Sequence, residues 1–249
     1  MRYAIVTAYY REDRATLERC LESVRRQSVE IQHIVVADGH PQAWVNDAPG
    51  VRHIVLDRCH ADFGDTPKLL GLLLAMRDGC DAIQFLDADN LIFEGHAELG
   101  LALLHETAAH LIVLKRTFLR QDGTDLNYAS PRDDSLRHID MNCYLFARPS
   151  FPTALKWVLI PRQFSFMSDR VFRSVFSKAG HPVAVAPRAT VGYTSMWVSS
   201  YIAVGETPPP GTRDHTEVAA RARAWWSSLD DERRALIEAT LGVKISIGD

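Results

Sequence analysis

Apolar runs of strand type alternate with amphipathic helical stretches along the first half of the chain. The strand-type runs are short, rich in Val, Ile and Leu, and bounded by polar residues, which is typical of buried strands. They cover residues 3–8, 33–37, 51–56, 81–87 and 111–114. Apolar residues recurring at helical spacing predict helices between them, over residues 14–27, 67–77 and 96–109. This alternation predicts an α/β fold with a mainly parallel sheet flanked by helices.

The pattern changes in the second half of the chain. Residues 119–136 are polar and rich in turn residues, which predicts a surface loop or a short hairpin. Residues 138–148 return to a strand pattern, which would place Asp140 and Asn142 on one face because side chains two apart point the same way. A helical stripe then runs over residues 171–179.

Carboxylates recur where the predicted strands end, at Asp38, Asp57 and Asp87. Ligands of open α/β sheets bind outside the carboxyl ends of the strands, so these acids lie where a ligand is expected. Asp87 and Asp89 form an Asp-Ala-Asp step that is costly to bury unpaired. A hard divalent cation would explain it, because such ions bind carboxylates together with substrate phosphate oxygens. A plain polar turn after the strand is the alternative interpretation.

Two common phosphate-binding motifs are absent from the expected place. A dinucleotide-binding fold has Gly-x-Gly-x-x-Gly directly after its first strand, whereas residues 7–12 contain no glycine. The sequence has no Walker-type loop either. Any bound phosphate would therefore be held by a cation and by side chains.

Composition limits the classes of binding partner and the cellular location that we expect for the protein. The formal net charge of −3 leaves no footprint for nucleic acid, and no apolar run approaches the roughly 18 residues of a membrane span. The first residues turn polar too early for a signal peptide and predict a strand. The four cysteines lack Cys-x-x-Cys spacing, which predicts reduced thiols and a cytoplasmic location.

Residues 3–90 resemble the nucleotide-binding half of a family 2 glycosyltransferase with the GT-A fold. The matching segments, in order, are residues 5–10, 17–27, 34–39 and 85–89. A helix that carries Ser23 and Gln27, followed by a strand ending in Asp-Gly, makes the ordered set more specific than the Asp-x-Asp step alone.

The resemblance implies a nucleotide-sugar donor, with a UDP-sugar as the expected one. It implies that Asp38 and the segment after the first strand cradle the base and ribose. That segment consists of Thr7, Ala8, Tyr9 and Tyr10. Ala8 stands where the family usually has proline, and His40 where it usually has serine, so the identity of the base stays open.

The resemblance also implies a metal cofactor. Asp87 would lie near the ribose and the metal, and Asp89 would ligate Mn²⁺ or Mg²⁺ beneath the diphosphate. Lys68 stands where the family carries an arginine and would assist at the diphosphate. Four histidines are candidates for a third metal ligand, although a lone histidine is more often structural. They are His60, His105, His181 and His215.

Asp169 is predicted to lie in the first turn of the helix over residues 168–179, and two interpretations are open. Ser168 or Asp169 could cap the helix and complement its dipole. Alternatively, Asp169 is the general base of an inverting transfer and removes the proton of the acceptor hydroxyl. The family places a catalytic carboxylate in this region, usually as Glu-Asp, of which only the second acid is kept here. Asp140 is the alternative base.

We predict one GT-A-like domain over residues 1–204, with a nucleotide-binding half (1–90) and an acceptor half (91–204). A loop and C-terminal helices over residues 205–249 would pack on it. The pair Trp225-Trp226 could pack on the main domain or form the seam of a homodimer.

Several weaker candidates surround the predicted site. Arg213 or His215 could touch phosphate, and Trp197 with Tyr201 could form an aromatic shelf for a sugar ring, although core packing is more frequent. Arg116 is expected to be a solvated charge at a strand end.

The predicted function is a metal-dependent glycosyltransferase acting on an acceptor hydroxyl of a glycan, a lipid-linked molecule or a small molecule. Retention of the anomeric configuration stays open. One alternative is a non-catalytic nucleotide-sugar-binding protein. Another is a sugar nucleotidyltransferase, which normally carries a glycine-rich basic loop after its first strand, and that loop is absent here.

Overall fold

The computed structural model describes residues 1–129 and 139–246. Part of the predicted loop over residues 119–136 lies outside the described residues. The start of the predicted strand, at residue 138, also lies outside them. No helix in the described ranges is long and apolar enough to cross a membrane.

The described residues form an eight-stranded mixed sheet with the strand order β3-β2-β1-β4-β7-β6-β8-β5. The strands are β1 Tyr3–Tyr9, β2 Ile31–Ala37, β3 Val51–Val55, β4 Ala82–Phe85, β5 Leu91–Ile92, β6 Leu111–Leu119, β7 Tyr144–Ala147 and β8 Val183–Thr194. Four neighbouring pairs are parallel, whereas β7 runs antiparallel to both its neighbours and β5 antiparallel to β8. The predicted fold class is confirmed, with a sheet that is mixed because these two short strands reverse direction.

The helices include the predicted ones and two short ones that were not predicted, Phe151–Ala154 and Val198–Ala203. They are α1 Arg14–Arg25, α2 Asp65–Arg77, α3 His96–Thr107, α4 Phe151–Ala154, α5 Ser168–Lys178, α6 Val198–Ala203, α7 His215–Ser228 and α8 Asp231–Leu241. Asp13 caps α1 by accepting from the Thr16 backbone N–H at 2.8 Å, as its position predicts. The predicted stripe of α1 is buried against the sheet.

Close approach of α2 to β1 depends on a glycine. A Cβ added to Gly71 would lie 2.2 Å from Cγ1 of Val6, so no larger residue fits between the helix and the strand without movement. The first turns of α2 consequently lie tight against the carboxyl end of β1. This packing buries Lys68, whose side chain is 5% exposed, at the same edge as the strand-end acids.

The strand predicted over residues 138–148 begins only at Tyr144. Asp140 instead accepts from the Asn142 backbone N–H at 2.9 Å and caps a 3₁₀ turn over Met141–Cys143. The prediction of one continuous strand face was therefore wrong, because local capping by Asp competes with the strand ladder. Asp140 and Asn142 still lie together, through the turn.

The C-terminal helices pack on the main domain. The ring of Phe164 contacts Trp225 and Trp226, with centroids 5.3 and 5.4 Å apart. These indoles therefore serve intramolecular packing. On α8 Leu241 is buried, whereas Leu236 is 67% exposed.

Candidate active site

The Asp-Ala-Asp step lies in a tight turn after β4, at the carboxyl ends of the parallel strands. The Asn90 backbone N–H donates to the Asp87 carbonyl at 2.9 Å and closes the turn. The end of β8 holds the turn from the other side, because Thr194 donates its N–H to Asn90 Oδ1 and its hydroxyl to the Asp89 carbonyl at 2.8 and 2.5 Å. The two carboxylates thus project from a fixed backbone.

Helix α1 holds the segment that follows the Asp-Ala-Asp turn. Ser23 Oγ accepts from the Ile92 N–H at 3.1 Å, and the Gln27 amide donates to the Phe93 carbonyl and accepts from the Ala97 N–H, both at 3.1 Å. The serine and glutamine that mark the family resemblance therefore have a structural role here: they tie α1 to the chain just beyond Asp89.

Both carboxylate oxygens of Asp87 have a partner. Lys68 Nζ lies 2.6 Å from Oδ1, and Asn142 Nδ2 donates to Oδ2 at 2.8 Å. Burial alone would raise the pKa of Asp87, but the ammonium of Lys68 and the amide of Asn142 outweigh it and hold the pKa below its ordinary value. Asp87 is therefore ionised in the folded protein.

Asp89 has a different environment. Burial first, and then the carboxylates of Asp87, Glu12 and Asp140, together raise the pKa of Asp89 to about 7. Glu12 was missed as a member of this group, although an acid so soon after the first strand was visible in the sequence. An excess of negative charge at hard oxygen ligands fits a divalent cation.

The chemistry of the donor set limits how a cation could be held. No group of three or more His, Cys, Asp or Glu side chains that could ligate a metal occurs within residues 1–129 and 139–246. Asp38 holds His60, and His181 faces His110 with their Nδ1 atoms 3.1 Å apart. A cation here would therefore take few protein ligands and complete its shell with water and phosphate oxygens, as Mg²⁺ commonly does.

Asp140 is buried beside this corner. Arg116 Nη1 lies 3.2 Å from its Oδ2, and Asn142 Nδ2 donates to its Oδ1 at 2.5 Å. Burial and the Asp169 carboxylate together raise the pKa of Asp140 to about 6, and Arg116 limits the rise. Arg116 is thus a buried ion-pair partner, 4% exposed, and its expected solvation was wrong.

Asp169 lies in the first turn of α5, as predicted. Its charge acts on Asp140, so the two candidate bases lie on the same side of the molecule. Ser168 does not cap the helix, because its hydroxyl donates to the Ser165 carbonyl at 3.0 Å. The position of Asp169 is compatible both with the helix dipole and with a role at the site.

Of the predicted base-binding segment, Tyr10 is the side chain that reaches the surface of the site. Thr7 Oγ1 lies 2.9 Å from His33 Nε2 in the core, and the Tyr9 hydroxyl lies 2.9 Å from His53 Nε2. The Tyr10 ring meets His40 edge-on, with centroids 4.7 Å apart. Ala8 is buried without a polar side chain and faces the turn that begins α2.

Asp38 is buried, and both of its carboxylate oxygens accept hydrogen bonds. It accepts from the backbone N–H groups of His60 and Ala61 at 2.8 and 3.0 Å. Burial would raise the pKa of Asp38, but these hydrogen bonds and the His60 ring lower it. In this structure Asp38 holds the segment that follows β3.

An aromatic group flanks the far side of the site. The rings of Trp197 and His215 stack with centroids 3.7 Å apart, and Trp197 Nε1 donates to the Tyr193 hydroxyl at 3.2 Å. Tyr201 is buried and donates to the Ser195 carbonyl, so the expected shelf does not include it. The segment after α6 is tied down by the Arg120–Glu206 ion pair.

Comparison of the fold with solved structures identifies its type. S. aureus TarS residues 1–349 superimpose with a TM-score of 0.60 over 97% of this chain and 70% of that one, at 12% identity. The same TarS fragment solved with UDP gives 0.60 at 13% identity and equal coverage, and with UDP-GlcNAc 0.57 at 12%. The chain has the GT-A fold.

The predicted resemblance in fold is thereby confirmed. No family model matches the sequence. No curated protein matches it either. In the GT-A fold of this chain, Asp87, Lys68 and Asn142 occupy one corner, at the edge of the sheet where α/β folds bind ligands.

Proposed function

We propose that this protein is a glycosyltransferase that moves a sugar from a nucleotide-sugar, with a UDP-sugar as the expected donor, to an acceptor hydroxyl. The observation that carries the proposal is the Asp87–Asp89 corner in a GT-A fold. Lys68 Nζ lies 2.6 Å from the Asp87 carboxylate and neutralises its charge. The Asp89 carboxylate, by contrast, is surrounded by other carboxylates. A pyrophosphate with its counter-ion is the ligand that this arrangement suits.

Asp89, with Asp87 beside it, would hold Mn²⁺ or Mg²⁺. The bound cation would supply neutralisation of the charge that develops on the leaving diphosphate. Lys68 keeps Asp87 ionised and adds a fixed positive charge to the same corner, so less reorganisation is needed when the donor binds.

Asp169 is the proposed general base. Asp140 is the alternative base, and Arg116 engages its Oδ2 and Asn142 its Oδ1. In the proposed reaction Asp169 accepts the proton of the acceptor hydroxyl, that oxygen bonds to the anomeric carbon, and the bond from this carbon to the diphosphate breaks. Attack opposite the leaving group inverts the configuration.

Donor binding and turnover test the proposal directly. We expect a thermal shift with UDP and Mn²⁺, and slow release of UDP from a UDP-sugar. Asp89→Asn should abolish the Mn²⁺-dependent part of the shift, whereas Asp47→Asn, which changes an exposed acid, should keep it. Absence of any shift with a panel of sugar nucleotides would refute the proposal, and binding without turnover would favour a non-catalytic binder.

The base is tested separately. We expect Asp169→Asn to lower kcat at least about 100-fold with little change in donor KM, as for loss of a group that acts in the transition state. A similar loss in Asp140→Asn alone, with Asp169→Asn active, would reassign the base.

A further inference from the structure

The side chain of Asn142 lies between two carboxylates of the proposed site and is 1% exposed. Its Nδ2 donates to Asp87 Oδ2 at 2.8 Å and to Asp140 Oδ1 at 2.5 Å. Its Oδ1 accepts from the Asp87 backbone N–H at 2.5 Å. Only an amide can donate twice and accept once here, so these contacts also define which end of the amide carries oxygen.

The backbone of Asn142 is anchored by a second buried amide. Gln84 Nε2 donates to the Asn142 carbonyl at 2.7 Å. Gln84 Oε1 accepts from the Tyr3 hydroxyl at 2.5 Å and from His96 Nε2 at 2.9 Å. With Nε2 protonated, His96 Nδ1 accepts from Thr190 Oγ1 at 2.9 Å.

This chain of hydrogen bonds joins five residues, from Asn142 to Thr190, and each of them has a partner within it. Its members come from β1, β4, β8, α3 and the turn before β7, and all are at most 2% exposed. A fully satisfied buried network defines a single arrangement, because any displacement leaves a polar group unpaired. The network therefore holds the Asn142 amide rigidly against the two acids.

We propose that Asn142 is a positioning residue that holds Asp87 and Asp140 at one separation and so couples the donor half of the site to the acceptor half. The inference rests on the proposed function. Two neighbouring carboxylates repel each other, and the two N–H bonds of one amide hold both in place. Asp at this position would match the shape of Asn142 but offer no donor to either acid.

The test compares Asn142→Asp and Asn142→Ala with the wild type and with Asn46→Asp, the same chemical change at a surface asparagine bonded to His53. We measure UDP release from a UDP-sugar, the Mn²⁺ concentration for half-maximal rate, and calorimetric affinity for UDP with Mn²⁺. All assays run well below each melting temperature. Loss of a group that orients a ligating carboxylate typically lowers affinity or activity about 10–100-fold.

We expect kcat/KM and UDP–Mn²⁺ affinity to fall at least about 10-fold in Asn142→Ala and further in Asn142→Asp, with Asn46→Asp within twofold of the wild type. Asn142→Ser, which keeps one donor and adds no charge, should lie between Ala and the wild type and serves if the other variants do not fold.

An unchanged Mn²⁺ requirement and kcat/KM in folded Asn142→Asp would overturn the positioning role, leaving the proposed function intact. A wild type that neither binds nor turns over any nucleotide-sugar would refute the proposed function and this inference with it.

Discussion

Replacing Lys68 by Met removes the buried cation that pairs with Asp87 while keeping a side chain of similar length. Its ammonium lies 2.6 Å from Asp87 Oδ1, and only 5% of its side chain is exposed. Removing one partner of a buried ion pair costs about 3–5 kcal/mol. Because 37% of the Asp87 side chain reaches solvent and Asn142 still binds Oδ2, we expect a smaller loss of unfolding free energy, about 1–3 kcal/mol.

The loss of unfolding free energy in Lys68→Met should depend on pH in a definite direction. In the wild type the folded-state pKa of Asp87 lies below its ordinary value, so the stabilisation is full above the unfolded pKa, about 3.9, and is lost as the pH falls through the folded pKa. Without Lys68 only the Asn142 hydrogen bond opposes the effect of burial, so we expect the pKa of Asp87 to rise in the variant. The variant is therefore weakest relative to the wild type near neutral pH, and the difference shrinks towards pH 4.

Urea unfolding of Lys68→Met and the wild type at several pH values between 4 and 8 measures this difference. Lys178→Met, which removes an exposed lysine at the end of α5, is the matched control and should change stability by less than about 0.5 kcal/mol. An equal deficit at every pH, or none beyond that of the control, would show that the Lys68–Asp87 pair does not stabilise the fold electrostatically.

Three further changes test separate features. Tyr144→Phe removes a buried hydroxyl with no hydrogen-bond partner in the described structure and should raise the unfolding free energy by about 1 kcal/mol in urea titration; a loss would reveal a partner. Gly71→Ala forces a Cβ to 2.2 Å from Val6 and should cost about 1–3 kcal/mol, whereas a gain would show that α2 moves freely. Asp89→Asn should lessen the fall in melting temperature between pH 5 and 8, because the raised pKa of Asp89 makes its ionised form unfavourable in the fold; an unchanged pH profile would contradict the crowded-carboxylate explanation.

Local structure was predictable because it depends on neighbours in the chain. The cap at Asp13, the buried stripe of α1 and the acids that end β2 and β4 follow from periodicity and from turn chemistry. The strand predicted over residues 138–148 begins only at Tyr144, since strand periodicity and an Asp-capped 3₁₀ turn look alike over so few residues. Arg116 was misjudged for a related reason, because burial of a charge depends on a distant partner.

What the sequence determined by itself was the alternation of strands and helices in the first half of the chain and the carboxylates at the strand ends, since both depend on side chains a few positions apart. Tertiary structure alone decided that Asn142, from a turn 55 residues along the chain, inserts its amide between Asp87 and Asp140. The antiparallel pairing of β4 with β7 brings that turn to the carboxyl end of β4. The physical reason is that a hydrogen bond requires close approach of two atoms, and only the folded sheet provides it.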